Sequence, residues 1–381
     1  NVPVIPSRMS MLTKRINNDR GICFYCGQCS RACAVHADFS SGTCLIFPAQ
    51  KNGGQIDLFV NAMVREVTTN EEGKATGVSY INKEDRKEYK LKGKIVVLAA
   101  SACSSARILL NSKSKQHPNG LGNSSDIVGR YLHDSTGTNR TAFIPDLMNR
   151  KTYNEDGVGG MHVYTPWWLD NKKLDFARGY HIELWGGLGM PSYGFGFNHN
   201  EFNKFFGLKV GGYGNPLRDE IKKYYGSTVG MAGRGESIPQ KNNKCTIDST
   251  KVDEFGIPVL KFDYQWTDNE IKQVGHMHDT FEELLHNMGG ELLGTKPTLK
   301  DKNGILAPGE IIHEVGTTRM GNDPKTSVVN QHQQLHNVKN VFIVDAGPFV
   351  SQADKNPTWT ILALSWRTSD YIIEQLKMQN I

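Results

Sequence analysis

The sequence has no apolar run long enough to span a bilayer, which argues against a transmembrane helix. It also has no basic run. Lys and Arg alternate with Asp and Glu, and the formal charge is only +5 over 381 residues, so a nucleic-acid partner is not expected. The opening "NVPVIPSRMSMLTKR" carries neither an initiator Met nor the apolar segment of a signal peptide. It reads like the middle of a protein, so the chain is expected to be a piece of a larger one, and export is left open. Internal repeats and low-complexity linkers are absent. So is a G-x-G-x-x-G unit opening a helix, since "GGLGMP" and "GGYGNP" lie in the wrong context.

What is present is an ordinary globular composition, 38% apolar and 22% charged, long enough for about two domains. Four of the seven cysteines fall within eleven positions, Cys23, Cys26, Cys29 and Cys33, in the spacing C-x2-C-x2-C-x3-C. Thiolates three residues apart can converge on one small inorganic core, and this spacing is that of bacterial ferredoxins. With no second run, Cys33 either completes a 4Fe-4S cluster or is spare beside a 3Fe-4S one. Ala34 stands where ferredoxins carry Pro. A structural zinc site and a set of disulfides are the competing readings. Cys44, Cys103 and Cys245 read as small apolar residues.

Residues 56–100 read as strands: "QIDLFVNAMVREV", "ATGVSYIN" and the fully apolar "KIVVLAA", which suits a parallel sheet. "SACSSARILLNS" reads as a helix with Ser104 or Ser105 at its N-cap. From about 135 to 302, dense aromatics, glycines and short strand-like runs predict an antiparallel sheet. It ends in a helix over "TDNEIKQVGHMHDTFEELLHNMGG", opened by a Thr267/Glu270 capping box and closed by Gly289. Residues 303–381 return to the first style, with the strand "NVFIVDAG" and a last helix over "PTWTILALSWRTSDYIIEQLKM" whose Ile361, Leu364, Thr368, Tyr371 and Ile372 recur at helical spacing. The fold class is mixed α/β, with one domain (1–134 and 303–381, including a cysteine-rich loop at 21–44) interrupted by an inserted one (135–302).

His313 lies in "HEVGTTRMG", and Asn356, 43 residues on, opens the final helix as Asn356-Pro357-Thr358. A helix start offers unpaired N–H groups and partial positive charge, suited to a cofactor that gains negative charge on reduction. An imidazole nearby can serve as a base close to neutral pH. Each feature alone also has a plain structural use, as a turn residue or a cap.

Together with "NVFIVDAGPF", "NPTWTILALSWRTSDYI", "KIVVLAASACSSARILLNS" and "PNGLGNSSDIVGRYLHD", these motifs resemble the glucose–methanol–choline (GMC) oxidoreductases, flavoproteins that oxidise alcohols. "CFYCGQCSRAC" is similar to the cysteine run of a subset of bacterial dehydrogenases in that family, among them sugar and glucoside dehydrogenases. The likeness spans the chain except about 140–235. Two departures stand out: Ser101 and Ala106 replace the usual Gly and Pro of the second signature, and the family's opening βαβ unit is missing.

The resemblance implies an FAD-dependent dehydrogenase acting on the CH–OH group of a sugar or glycoside. It assigns His313 as base and Asn356 as its hydroxyl-positioning partner. Val64, Asp345, Ala346, Pro357 and Thr358 would meet FAD, and Cys23, Cys26, Cys29 and Cys33 would hold the iron–sulfur cluster. It further implies electron exit to a cytochrome or quinone and a missing N-terminal FAD-binding segment or partner subunit; the compartment, periplasm or cytoplasm of a bacterium, is left unknown. In the middle region Trp167, Trp168, Trp185, Tyr193, Phe195 and Phe197 can stack on sugar faces, and His181, Asn198 and His199 can meet hydroxyls, with core packing the equal alternative. A different class also fits part of the pattern: a non-catalytic iron–sulfur or zinc-binding subunit for electron transfer or binding.

Overall fold

The computed structural model describes residues 2–27, 29, 32–148, 163–165, 172–186, 214–224 and 226–381. The aromatic cluster at 167–168 and 193–199 lies outside the described residues.

Strands β2 (Ala62–Thr69), β3 (Ala75–Asn82) and β4 (Glu88–Lys92) form an antiparallel meander. The strand expected from Gln55 begins only at Ala62. Asn61 stands at φ 56° and its carbonyl accepts from the N–H of Lys83, so the left-handed residue breaks the extended run. β5 (Val96–Leu98) pairs in parallel with β13 (Val341–Ile343), placing "KIVVLAA" and "NVFIVDAG" side by side as their apolar character predicts. Helix α2 (Ala102–Asn111) follows β5, and its buried Ala106, Ile108, Leu109 and Leu110 share a core with Val96, Leu98, Val341 and Ile343.

The N-cap of α2 is Ser101, one turn earlier than expected. It sits at φ 79°, ψ 158°, a region almost confined to glycine. Thus the backbone keeps the conformation that a glycine would adopt freely, and the serine bears the strain.

A second sheet is antiparallel and six-stranded, in the order β1-β7-β8-β9-β6-β12. Its members are β1 (Ile5–Pro6), β6 (Thr136–Phe143), β7 (Val163–Thr165), β8 (Tyr180–Gly186), β9 (Thr228–Gly235) and β12 (Glu291–Leu292). The hairpin of β10 (Lys244–Val252) and β11 (Pro258–Asp263) packs beside α2, where Arg107 binds Asp253 at 2.7 Å and the carbonyl of Pro258. Two shorter helices complete the periphery, α1 (Phe47–Lys51) and α3 (Asn215–Tyr224).

Helix α4 (Asp268–Asn287) has the predicted capping box, and Gly289 at φ 71° follows its end. Its Val274, Met277, Phe281 and Leu285 bury against Tyr180, Ile182, Leu184 and Met231 of the sheet, each side chain contributing about 1.5–3 kcal/mol. A Cβ at Gly233 would stand 2.3 Å from the Met277 sulfur, so this contact needs glycine. The final helix α5 (Thr358–Lys377) packs Ile361 and Leu364 on Ala102, Val315, Ala346 and Phe349, and buries Thr368 against the Gln333 amide. No described helix is long and apolar enough to cross a membrane.

Candidate active site

The His313 loop is sewn to the segment entering β6. Buried Asp134 accepts from the N–H groups of Ser135 (2.7 Å), His313 (3.0 Å) and Gly309 (3.0 Å). His133 and Val315 exchange backbone bonds of 3.1 and 2.9 Å. Burial pushes the Asp134 carboxyl up to about 6; Glu314 adds to that rise, and the three N–H donors only partly offset it. His133, which the sequence left without a role, is buried with Nδ1 2.7 Å from the Tyr131 carbonyl; burial, then the Arg319 charge, holds it at about 4 despite that bond.

Around His313 the side chains are polar. Ser135 Oγ lies 3.2 Å from Nδ1 and accepts from Gln352 Nε2 at 3.2 Å, which ties the imidazole to the loop leading to Asn356. Burial and then the Arg234 guanidinium lower His313 to about 4; Glu183 works against this, and His181 reinforces it. The imidazole is therefore neutral at neutral pH and able to take a proton. The residue before it, Ile312, is 77% exposed at φ 60°. A β-branched residue rarely adopts that backbone, and the cost is about 1–3 kcal/mol. Sequence reading missed this strained position, because nothing in "IIHEV" marks a left-handed residue.

Asn356 is exposed and has no hydrogen-bond partner among the described residues. Pro357 occupies the N-cap position of α5 without a side-chain cap, so the first amides of the helix are uncapped. Two residues before Asn356, Asp354 faces His181 Nδ1 at 3.3 Å and Lys355 Nζ at 2.6 Å. Burial raises the Asp354 carboxyl, but His181 and Lys355 outweigh it and hold it below the usual range.

His181 introduces the sheet. Along β8, Tyr180, Ile182 and Leu184 face α4, so His181, Glu183 and Trp185 occupy the opposite face. Strand register sets His181 beside Arg234 and Arg234 beside Gly137 in one row. His181 Nε2 lies 3.5 Å from Glu183 Oε1, and Arg234 Nε lies 3.5 Å from Glu183 Oε2. The Tyr164 ring meets His181 edge-on at 5.8 Å, with Lys355 over it at 5.2 Å. Glu183, Arg234 and Asp354 were not singled out in the sequence, although the alternation "YHIELWG" was a usable signal.

The residues expected to meet FAD fall at three places, one of them the start of α5 with Pro357 and Thr358. Asp345 and Ala346 follow the C-terminal end of β13, where ligands of parallel sheets commonly bind. The Asp345 carboxylate accepts from Ser105 Oγ and from the Gly347 N–H, and burial raises it. It braces the turn into α2. Gly347 has no room for a Cβ, which would lie 2.2 Å from Thr318 Oγ1, itself buried without a partner among the described residues. An orphan hydroxyl beside a glycine at the strand ends fits a polar cofactor passing there. Val64 lies at a β-bulge of β2, an edge strand whose other side has no partner among the described residues.

Cys23, Cys26, Cys29 and Cys33 line one shallow concavity, with Met11, Phe24, Ala32 and Val35. The N–H of Tyr25 approaches Cys23 Sγ at 3.4 Å and that of Ala37 approaches Cys33 Sγ at 3.3 Å. Tyr25, Gly27, Ala32 and His36 all have positive φ, which turns the chain around the sulfurs. Among the described residues, no three His, Cys, Asp or Glu side chains are gathered to hold a single metal ion. Of the other cysteines, Cys245 is fully buried and pairs with half-buried Cys103, whose thiol that contact and burial push far up, making it unreactive.

Sequence models of the GMC oxidoreductases match residues 8–136 and 239–365. Among curated relatives, the 2-methyl-1,2-propanediol dehydrogenase of Mycolicibacterium austroafricanum is 30% identical over 83% of this chain and 54% of its own. The fructose dehydrogenase large subunit of Gluconobacter japonicus is 26% identical over 99% and 63%, and the gluconate 2-dehydrogenase flavoprotein of Pantoea cypripedii 26% over 93% and 56%. The chain thus spans little more than half the length of these proteins. Two solved structures share the fold at 13% identity: Aspergillus oryzae formate oxidase (TM-score 0.56, 84% of this chain and 60% of that one) and Mesorbium loti pyridoxine 4-oxidase (TM-score 0.55, 88% and 60%).

Proposed function

The chain belongs to the GMC oxidoreductase family, and from that premise we propose that it is the later part of an FAD-dependent dehydrogenase that oxidises the CH–OH group of a sugar, glycoside or related polyol. One observation carries the reading: a neutral, half-buried imidazole at His313 is tied through Ser135 and Gln352 to the loop that ends in Asn356. When bound, the flavin supplies the hydride acceptor. His313 takes the hydroxyl proton at its Nε2, because Nδ1 is engaged with Ser135. Asn356, with a free amide, orients the substrate oxygen. The uncapped N–H groups from Thr358 onward, behind Pro357, which has no donor of its own, would stabilise the negative charge that the cofactor gains on reduction. Asp345, Ala346 and Val64 supply its remaining contacts in this reading, with 1–134 and 303–381 as the cofactor domain and 135–302 as the substrate domain.

A nucleotide-cradling unit, in this proposal, would cover the apolar side of α5. Trp359 and Trp366 are 77% and 74% exposed, and Leu362, Ile373 and Leu376 continue their stripe. Val97 in the middle of β5 is exposed too, although strands of parallel sheets are normally covered on both faces. We assign this surface to the N-terminal FAD-binding segment, supplied by the longer chain or by a partner subunit.

In this proposal Cys23, Cys26, Cys29 and Cys33 would hold an iron–sulfur cluster, which would supply one-electron transfer to a cytochrome or quinone. Two observations support it. The four thiols border one concavity. Backbone N–H groups also point at two of the sulfurs, as they do around clusters. The reading as a non-catalytic electron-transfer or zinc-binding subunit is separated by one experiment on the full-length protein. Anaerobic addition of substrate bleaches flavin and alters an iron–sulfur spectrum, and His313→Ala or Asn356→Ala lowers turnover by about 10²–10⁴-fold with flavin retained. Zinc without iron removes the cluster; protein without flavin removes the enzyme.

A further inference from the structure

We propose that Arg234 and Glu183 form a hydroxyl-recognition subsite beside His313, selecting neutral substrates that carry a second hydroxyl next to the carbon being oxidised. The inference rests on the alcohol-oxidising reading of His313 and names its substrate class more narrowly.

The sheet supplies the geometry. Arg234 lies in the row between His181 and Gly137, on the face turned away from α4. A Cβ at Gly137 would stand 3.3 Å from Arg234 Nη1 and 2.7 Å from Ile311 Cδ1, so glycine gives the guanidinium its berth one residue from the Ile312–His313 turn. Nη1 donates to the Gly233 carbonyl at 3.1 Å and Nε faces Glu183. Nη2 has no partner among the described residues, and the side chain is 22% exposed. The guanidinium thus presents a donor edge that no described residue uses. Glu183 is held from behind by His181, which Asp354 holds in turn.

The charges decide what this edge takes. Arg234 and Lys355 are cations and Glu183 and Asp354 carboxylates, so these four charges cancel. An anionic substrate group reaching Arg234 meets the Glu183 carboxylate already there and is repelled. A hydroxyl is not: its oxygen accepts from Nη2 and its proton goes to the carboxylate. Gly137 stands between the guanidinium and Ile311, two residues before His313, which sets the pair on the side of the sheet where the His313 loop packs.

The test uses the flavin-loaded full-length protein with three-carbon probes: propan-1-ol, propane-1,2-diol and glycerate. The diol exceeds the monoalcohol in kcat/KM, and Arg234→Gln or Glu183→Gln lowers that ratio by about 10- to 100-fold, the scale of a lost charge-assisted hydrogen bond. Every probe uses the same base, so changes in His313 cancel in the ratio. Equal losses on both alcohols, or glycerate favoured over the diol, overturn the proposal. A second readout needs no oxidation: butane-2,3-dione labelling of Arg234 in borate-free buffer, with and without xylitol. Protection by xylitol and not by propan-1-ol upholds the subsite even where no alcohol bleaches flavin, an outcome that sinks the catalytic reading instead. Labelling indifferent to xylitol overturns the subsite whatever the flavin does.

Discussion

Asp354 and His181 face each other across 3.3 Å, one on the loop that leads to Asn356 and the other in the row of the sheet nearest His313. That contact fixes the approach of the loop two residues before its proposed working end. Asp354→Asn is expected to lower kcat by about tenfold while flavin content stays at the wild-type level, because a loosened loop misplaces Asn356 without touching the cofactor. His181→Gln should lower kcat at least as much, because it also frees Glu183, and the double variant should fall short of the sum of the two losses, since the pair shares one contact. Steady-state kinetics of the three variants check this; additive losses would mean separate roles.

The proton affinity of His313 gives a directional test. Burial is the main depressing cause and the Arg234 charge the next, while Glu183 raises it and His181 lowers it. Glu183→Gln should move the acid limb of the kcat/KM profile to lower pH, and Arg234→Gln should move it to higher pH. The acid limb of the wild type should lie well below the ordinary histidine value of about 6.5. Opposite shifts in the two variants are the signature.

Strain beside the base has a measurable consequence. Ile312→Gly should stabilise the protein toward urea by about 1 kcal/mol, since a glycine adopts φ 60° freely and the isoleucine is exposed. The same substitution is expected to lower turnover, because the rigid residue that aims His313 is gone. Ser101→Gly should stabilise similarly, less the loss of its cap on Ser104.

Acid stability follows from three buried groups. His133 and His313 are held at about 4, below their unfolded value, so the unfolded chain binds more protons and stability falls as pH drops from about 6.5 to 4. Asp134, raised to about 6, binds its proton more tightly when folded and opposes that loss over about pH 4–6. Asp134→Asn should therefore steepen the acid loss by about one proton, or about 1.4 kcal/mol per pH unit, in urea unfolding followed against pH.

Much of this was legible in the sequence because it was periodic or capped. The apolar runs of β5 and β13, the capping box at Thr267 and the helical recurrence of Ile361, Leu364 and Thr368 each signal an element by local chemistry. His313 and Asn356 stood out only through motif resemblance. What escaped was set by tertiary contact. Arg234 and Glu183 are ordinary strand residues until β8 and β9 pair in register, and Asp354 is an ordinary loop acid until its segment crosses that sheet. Ile312 and Ser101 escaped for the opposite reason: the backbone forces on them a conformation that their side chains disfavour, so propensity points away from the observed turn.

The two tryptophans that α5 leaves in water have a practical use. Indole emission shifts toward the blue as its surroundings dry, so the fluorescence of Trp359 and Trp366 reports directly whether anything has closed over the helix. A polypeptide with such a surface should also be sticky on its own, self-associating in dilute buffer until its natural cover arrives. Co-expression with the covering segment, followed by its emission colour, turns a handling difficulty into an assembly assay.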